Sequence, residues 1–310
     1  MKKIPIIMDC DPGHDDAIAL IMANAADNLN LIGVTTTAGN QTIEKTTNNA
    51  LRVLSFLGKT IPVSMGSTKP MVRVLEIAPN VHGSTGLDGP ALGEPTYNPV
   101  NEKAWDFTRK LLLDSDEKVT LVATGPLTNL GILISLYPEV KDKIEQISIM
   151  GGGIDHGNWV PASEFNILVD PEAADIVFKS GIPIIMSGLD VTEKAIILDE
   201  EVERLRGTNK KVPVFVAELL DFFSIFHKEL GFLGSPMHDP CAIAYLIDPT
   251  IFVSEDYHVD IETQGKYTTG MTIADKRINN SKEKNNVKAL MDLDRERFVS
   301  LLESLCLKYN

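Results

Sequence analysis

Five short apolar runs, at residues 4–8, 31–35, 119–122, 144–150 and 182–186, break off near Gly, Asp or Thr and lead into segments with apolar residues at helical spacing. Runs that are apolar without alternation are strands buried on both faces, which is how a mostly parallel sheet reads in sequence. The segments between them predict helices at 44–57, 103–113, 127–136, 171–180 and 214–230, with a last helix over 294–307. Asp170-Pro171 and Asp239-Pro240 each set a capping carboxylate before a proline suited to a first helical turn. The predicted fold class is α/β, a mostly parallel central sheet with helices on both faces. Residues 257–265 and 268–274 alternate like strands and predict a hairpin added late.

No linker-like stretch or charge run divides the 310 residues, so one domain over 1–310 is expected. Residues 66–96 are rich in Gly and Pro and lack either periodicity. A loop that long in a compact domain tends to be functional, and His82, flanked by Gly83 and Gly86, marks this one as an active-site lid. Residues of about 214–237 are expected to form a mobile helix and loop.

With 43 acidic and 29 basic residues, the net charge of −14 would repel a phosphate backbone unless a basic patch were segregated. The nearest candidate, 276–288, is broken by Asn, Ser and Glu and reads as a solvated loop. Nucleic acid is therefore not an expected partner. Nor is a membrane, because no apolar stretch approaches the length of a span and the apolar start before Asp9 is too short for a secretory segment. The expected location is the cytoplasm, with Cys10, Cys241 and Cys306 as reduced structural thiols.

The segment Asp9-Cys10-Asp11-Pro12-Gly13-His14-Asp15-Asp16 follows the first predicted strand and leads into a helix expected near Ala17. In open α/β sheets ligands bind at that edge. Four carboxylates within eight residues repel one another, and neither Lys nor Arg is present to relieve them. One or two acids could serve a helix N-terminus; four require a cation, and a set of oxygen donors favours Ca²⁺ or Mg²⁺.

Three other segments carry chemistry. Met237-His238-Asp239-Pro240 could be an ordinary helix start, but beside the acidic cluster it supplies a metal carboxylate next to a general acid, His238. The stretch 120–129, TLVATGPLTN, is a strand, a tight turn and a helix whose carbonyls emerge at the same sheet edge. Met150-Gly151-Gly152-Gly153 lacks the spacing of a phosphate-binding loop. With Asn158, Glu164 and Asn166 it suits sugar hydroxyls instead.

The ordered motifs DCDPGHDD, AGN, HGSTG, TGPLTN, MGGG, EFNILVDPEAA and HDP resemble the inosine-uridine-preferring nucleoside hydrolases over essentially the whole chain. The resemblance implies Ca²⁺-dependent cleavage of the N-glycosidic bond of purine or pyrimidine ribonucleosides, in a homodimer or homotetramer. It implies that Asp11, Asp16, Asp239 and the main-chain carbonyl of Thr124 hold Ca²⁺, with Asp11 also the general base. It further implies that Asp15, Asn40, Asn158, Glu164 and Asn166 grip the ribose, and that His82, Met150 and Phe165 line the sugar and base pocket. One departure concerns the base: the family's base-nonspecific members carry a tyrosine about twelve residues before the HDP histidine, where this chain has Phe226, followed by His227.

Two rival readings follow from the same residues. Strand-Asp9-x-Asp11 superficially matches a haloacid-dehalogenase-type phosphohydrolase, but the downstream acidic pair of that class is missing. A non-catalytic nucleoside-binding protein would keep the pocket, but it would have no need of both Asp11 and His238.

Overall fold

The computed structural model describes residues 3–277 and 284–309. Its centre is an eight-stranded sheet. The strands in chain order are β1 (Ile4–Cys10), β2 (Leu29–Thr36), β3 (Val63–Met65), β4 (Val119–Ala123), β5 (Ile144–Met150), β6 (Ile184–Ser187), β7 (Ile196–Leu198), β8 (Gly234–Pro236), β9 (Phe252–Tyr257), β10 (Val259–Ile261), β11 (Thr272–Ala274) and β12 (Val287–Leu293). The large sheet runs β3-β2-β1-β4-β5-β6-β12-β9, parallel except for β9, which pairs antiparallel with β12. The pairs β10-β11 and β7-β8 form two small antiparallel ribbons.

The helices are α1 (His14–Ala25), α2 (Ile43–Phe56), α3 (Pro79–His82), α4 (Ala104–Asp114), α5 (Thr128–Leu136), α6 (Phe165–Val169), α7 (Pro171–Phe178), α8 (Leu189–Thr192), α9 (Asp199–Gly207), α10 (Lys211–Glu229), α11 (His238–Ile247) and α12 (Arg295–Cys306). They cover both faces of the sheet. Ile6, Met8 and Cys10 of β1 point into a core shared with α1, α10, α11 and α12, while Ile7 points into the opposite core with Leu121, Leu130 and Val177. Double-sided burial explains why β1 reads as an unbroken apolar run. The expected α/β class is found.

Strand order reverses between β1 and β4, since β2 and β3 extend one way and β5 and β6 the other. That switch point opens a crevice at the carboxyl ends of the strands. Register places Asp9 beside Thr35 on one neighbour and Ala123 on the other, so the residues that follow emerge together.

Several sequence expectations need adjustment. α1 begins at His14 rather than Ala17, because Gly13 donates its N–H to Asp16 Oδ2 (3.0 Å) and closes the first turn around the acids. α11 begins at His238, so Asp239 lies inside the first turn and does not cap it. Asp170 does cap α7, accepting from Ala173 N at 3.1 Å. The late hairpin is confined to β10 and β11, and Tyr257 ends β9. Of the basic run 276–288, residues 278–283 lie outside those described. Lys276 pairs with Asp155, and Lys288 belongs to β12, where it pairs with Asp256. All three cysteines are buried free thiols, and no helix among the described residues is long and apolar enough to cross a membrane.

Candidate active site

The crevice is built from the carboxyl ends of β1, β2, β4 and β5. Asp9, still within β1, accepts from Thr35 Oγ1 and from Asn129 Nδ2 (2.7 Å), tying β1 to β2 and α5 behind the site. Asp11 is fully buried; its Oδ2 accepts from the backbone N–H of Asn40 at 2.6 Å, and its Oδ1 has no hydrogen-bond partner. Two glycines make room for this carboxylate. A Cβ at Gly39 would lie 2.1 Å from Asp11 Oδ2, and one at Gly125 2.4 Å from Oδ1. Asp16, also fully buried, accepts from Gly13 N, from Asn40 Nδ2 (3.2 Å) and from Thr124 Oγ1 (2.7 Å).

Asp15, Asp16 and Asp239 bring carboxylate oxygens within 4.8 Å of one another. Among the described residues none of these acids, nor Asp11, pairs with a lysine or arginine. Burial first, and repulsion between neighbours second, push Asp11 and Asp239 well above the usual carboxylate range and Asp15 to about 8. Asp9 is raised to about 7, again mainly by burial. Such a group cannot stay ionised without positive charge. The orphaned Asp11 Oδ1 and the exclusively oxygen donors fit a hard divalent cation. The closest triad differs from the set implied by resemblance: it includes Asp15, while Asp11 adjoins it through its charge. The Thr124 carbonyl already accepts from Asn166 Nδ2 at 3.0 Å and keeps a second lone pair.

Above Asp11 and Asp16 lies an open pocket with a cavity volume of about 120 Å³. Its lining includes Asp15, Asn40, Thr124 and Asp239, together with Met150, Asn158, Glu164, Phe165 and Asn166 from β5 and the segment beyond it. Asp11 and Asp16 are not among the lining residues. The polar side chains there are held in fixed orientations by backbone bonds. Asn158 Oδ1 accepts from Phe165 N (3.0 Å), which leaves its Nδ2 as a donor. Asn166 Nδ2 donates to Thr124 O and Met150 O, which leaves its Oδ1 as an acceptor. Glu164 caps α6, accepting from Asn166 N, Ile167 N and Gly152 N, and burial raises it to about 7.

The rest of the lining is aromatic. His82, from the 66–96 segment, faces His14, Phe223 and the pocket. His14 Nε2 donates to Asp88 O (2.8 Å), which leaves His14 Nδ1 with a lone pair 3.2 Å from His82 Nδ1, and the backbone N–H of His14 reaches the same His82 nitrogen at 3.3 Å. His238 Nδ1 meets Thr192 Oγ1 at 2.8 Å, and burial pulls this imidazole down to about 3. Phe226 and its neighbour His227, the departure noted in the sequence, are both in the lining. Sequence reasoning missed Trp159, Glu193, Phe223 and Phe232. Phe223 and His227 stand one turn apart on α10, a spacing that marks a buried helix face but does not distinguish core from pocket.

A plant nucleoside hydrolase superposes with a TM-score of 0.91 at 31% identity, covering 98% of each chain. A purine-preferring ribonucleoside hydrolase from Gardnerella vaginalis superposes equally well at 31% identity, covering 97% of this chain and 98% of the other. With buried acids beneath an open pocket, these place the molecule among enzymes that hydrolyse N-glycosyl bonds. Residues 6–300 match the family described as inosine-uridine preferring nucleoside hydrolase. The pyrimidine-specific ribonucleoside hydrolase RihA of Enterobacter sp. (strain 638) is 55% identical over 302 residues, 96% of each chain. The chain belongs to the inosine-uridine preferring nucleoside hydrolase family, and it is a ribonucleoside hydrolase.

Proposed function

We propose that the protein hydrolyses pyrimidine ribonucleosides to free base and ribose with Ca²⁺ as its metal. The observation that carries this reading is the set of buried, uncompensated carboxylates beneath the pocket, with Asp11 Oδ1 left without a partner. The preference for pyrimidines is supported by the 55% identity to a relative named for it, against 31% to one named purine-preferring.

Asp11, Asp16, Asp239 and the Thr124 carbonyl would hold the cation, with Asp15 turned to the ribose. When bound, the cation supplies the charge that keeps these acids ionised and makes water easier to deprotonate. Asp11 is the general base that takes a proton from the attacking water, its carboxylate held in place through Oδ2 by the N–H of Asn40. Attack at C1′ builds positive charge on the ribosyl ring, as in other glycoside hydrolyses, and carboxylates fixed around the ring stabilise it. Asn158 Nδ2 donates to a ribose hydroxyl and Asn166 Oδ1 accepts from one, with Asn40 and Glu164 completing the grip. His82, Met150 and Phe165 border the sugar and base.

His238 assists departure of the base. As a neutral imidazole held at Nδ1 by Thr192, it can present Nε2–H to the atom on which negative charge collects. The 66–96 segment and the α10 region both contribute lining, as an active-site lid and a mobile helix and loop would. Ribose release from uridine, cytidine and inosine, with and without EDTA and Ca²⁺ re-addition, tests the reading. Activity that favours inosine refutes the preference, and activity that survives removal of all bound metal refutes the cation's role.

A further inference from the structure

Beside His238 the pocket holds a second histidine to which the mechanism gives no task. His227 is 5% exposed, lines the pocket and lies in an aromatic cage, with Phe223 at 4.3 Å, Phe226 at 5.4 Å and Phe232 at 5.8 Å between ring centroids, all three edge-on. Its ring centre is 6.0 Å from that of His238. Its Nδ1 is 2.9 Å from the carbonyl of Phe223, one turn back on α10. A carbonyl can only accept, so the ring proton belongs on Nδ1 and Nε2 carries a lone pair. Nε2 has no hydrogen-bond partner among the described residues. Burial lowers His227 to about 4, which keeps the ring neutral and the lone pair available at physiological pH.

An unpaired acceptor facing a pocket walled largely by aromatic rings gives a ligand donor a directional point of attachment. The ribose end of the pocket is fixed by the acids, so the cage around His227 falls to the base. Phe226 beside it has no polar atom, which leaves His227 as the polar group that α10 offers there.

We propose that His227 is a base-recognition residue whose Nε2 accepts a hydrogen bond from the far edge of the nucleobase, N3–H of uracil or the 4-amino group of cytosine. One acceptor thus serves both pyrimidines, because each presents a donor on the edge away from the glycosidic bond. The inference rests on the proposed placement of ribose over the carboxylates.

The test compares wild type, His227→Leu and His227→Gln on uridine, 3-methyluridine and p-nitrophenyl riboside. Wild type should favour uridine over 3-methyluridine by at least about tenfold in kcat/KM, since the methyl group removes the donor. His227→Leu should lose roughly tenfold on uridine, mostly in KM, and should abolish the discrimination against 3-methyluridine. It should stay within about twofold of wild type on p-nitrophenyl riboside, which has no such edge. His227→Gln, whose Oε1 can accept, should restore part of the uridine activity. Equal losses on uridine and p-nitrophenyl riboside would make His227 a merely structural residue and overturn the proposal, as would unchanged discrimination in His227→Leu. Should the enzyme prefer purines, the pyrimidine reading fails separately, and inosine against 1-methylinosine decides the role of His227 by the same criteria.

Discussion

Removing the cation should leave a protein whose stability falls as pH rises, opposite to the usual behaviour of a protein with many paired carboxylates. In the metal-free fold burial raises Asp15 to about 8 and Asp9 to about 7, from 3.8 when exposed, and raises Asp11 and Asp239 well above that ordinary value too. Between these limits the folded state holds protons that the unfolded chain has released. Stability therefore declines with pH, by about 1.4 kcal/mol per pH unit for each extra proton held. With one net proton, the loss from pH 5 to pH 7 is about 3 kcal/mol, or about 4 °C in melting temperature for a chain of this size. Below pH 5, ordinary surface acids such as Asp275, held down to about 2 by Arg277, begin to lose their own stabilisation and obscure the trend. The assay is calorimetry of chelator-treated and Ca²⁺-saturated protein at each pH from 5 to 8. The gap between the two melting temperatures should widen steadily with pH, because charge-driven effects elsewhere cancel in the difference. A gap that is constant or narrows would mean that the buried acids do not form the cation site.

Three further outcomes are expected. His238→Ala should cut kcat on uridine by roughly 10²- to 10⁴-fold while sparing p-nitrophenyl riboside, whose leaving group needs no proton; equal losses on both would remove its role at the base. Gly39→Ala puts a methyl group 2.1 Å from Asp11 Oδ2, with Pro126 blocking retreat at 2.7 Å, so the carboxylate must shift; kcat should fall about 100-fold or more with the fold retained, and near-normal turnover would show that Asp11 need not be held so closely. Asn158→Asp keeps the bond to Phe165 N but replaces the free donor by an oxygen; kcat/KM should fall at least about tenfold on every ribonucleoside, and an unchanged value would take Asn158 out of the ribose grip.

How far the fold is legible in the sequence follows from what each strand packs against. β1, β4 and β5 lie at the centre with helices on both faces, so their apolar runs are unambiguous. β12 escapes recognition because it lies next to the edge strand, carries Lys288 and Asp292, and follows a polar stretch that reads as loop. β3 has only three residues and takes its register from β2, so no periodicity could announce it. The hairpin reads too long in sequence because Glu262 turns the chain early by accepting from Gln264 N and Gly265 N.

The site divides along a different line, between charge and shape. Asp9, Asp11, Asp15 and Asp16 are close together in the chain, so their mutual repulsion is visible before any fold is known. Asp239 is harder to read, since Asp-Pro is a competent helix start by itself. The helix instead opens one residue earlier, at His238, which frees the carboxylate to meet Asp15 and Asp16. Apolar side chains give no such clue. Phe215 and Phe223 show the difficulty: both are buried on α10 and both pack against the core, yet of the two only Phe223 also lines the pocket. What separates them is the segment carrying His82, which arrives from more than a hundred residues away to stack on Phe223. The N-terminal acids are thus legible locally in this chain, whereas the aromatic wall around Phe223 is assembled only where α10 meets the 66–96 segment. Substitutions that alter base preference should accordingly fall on those two segments, leaving the carboxylates untouched.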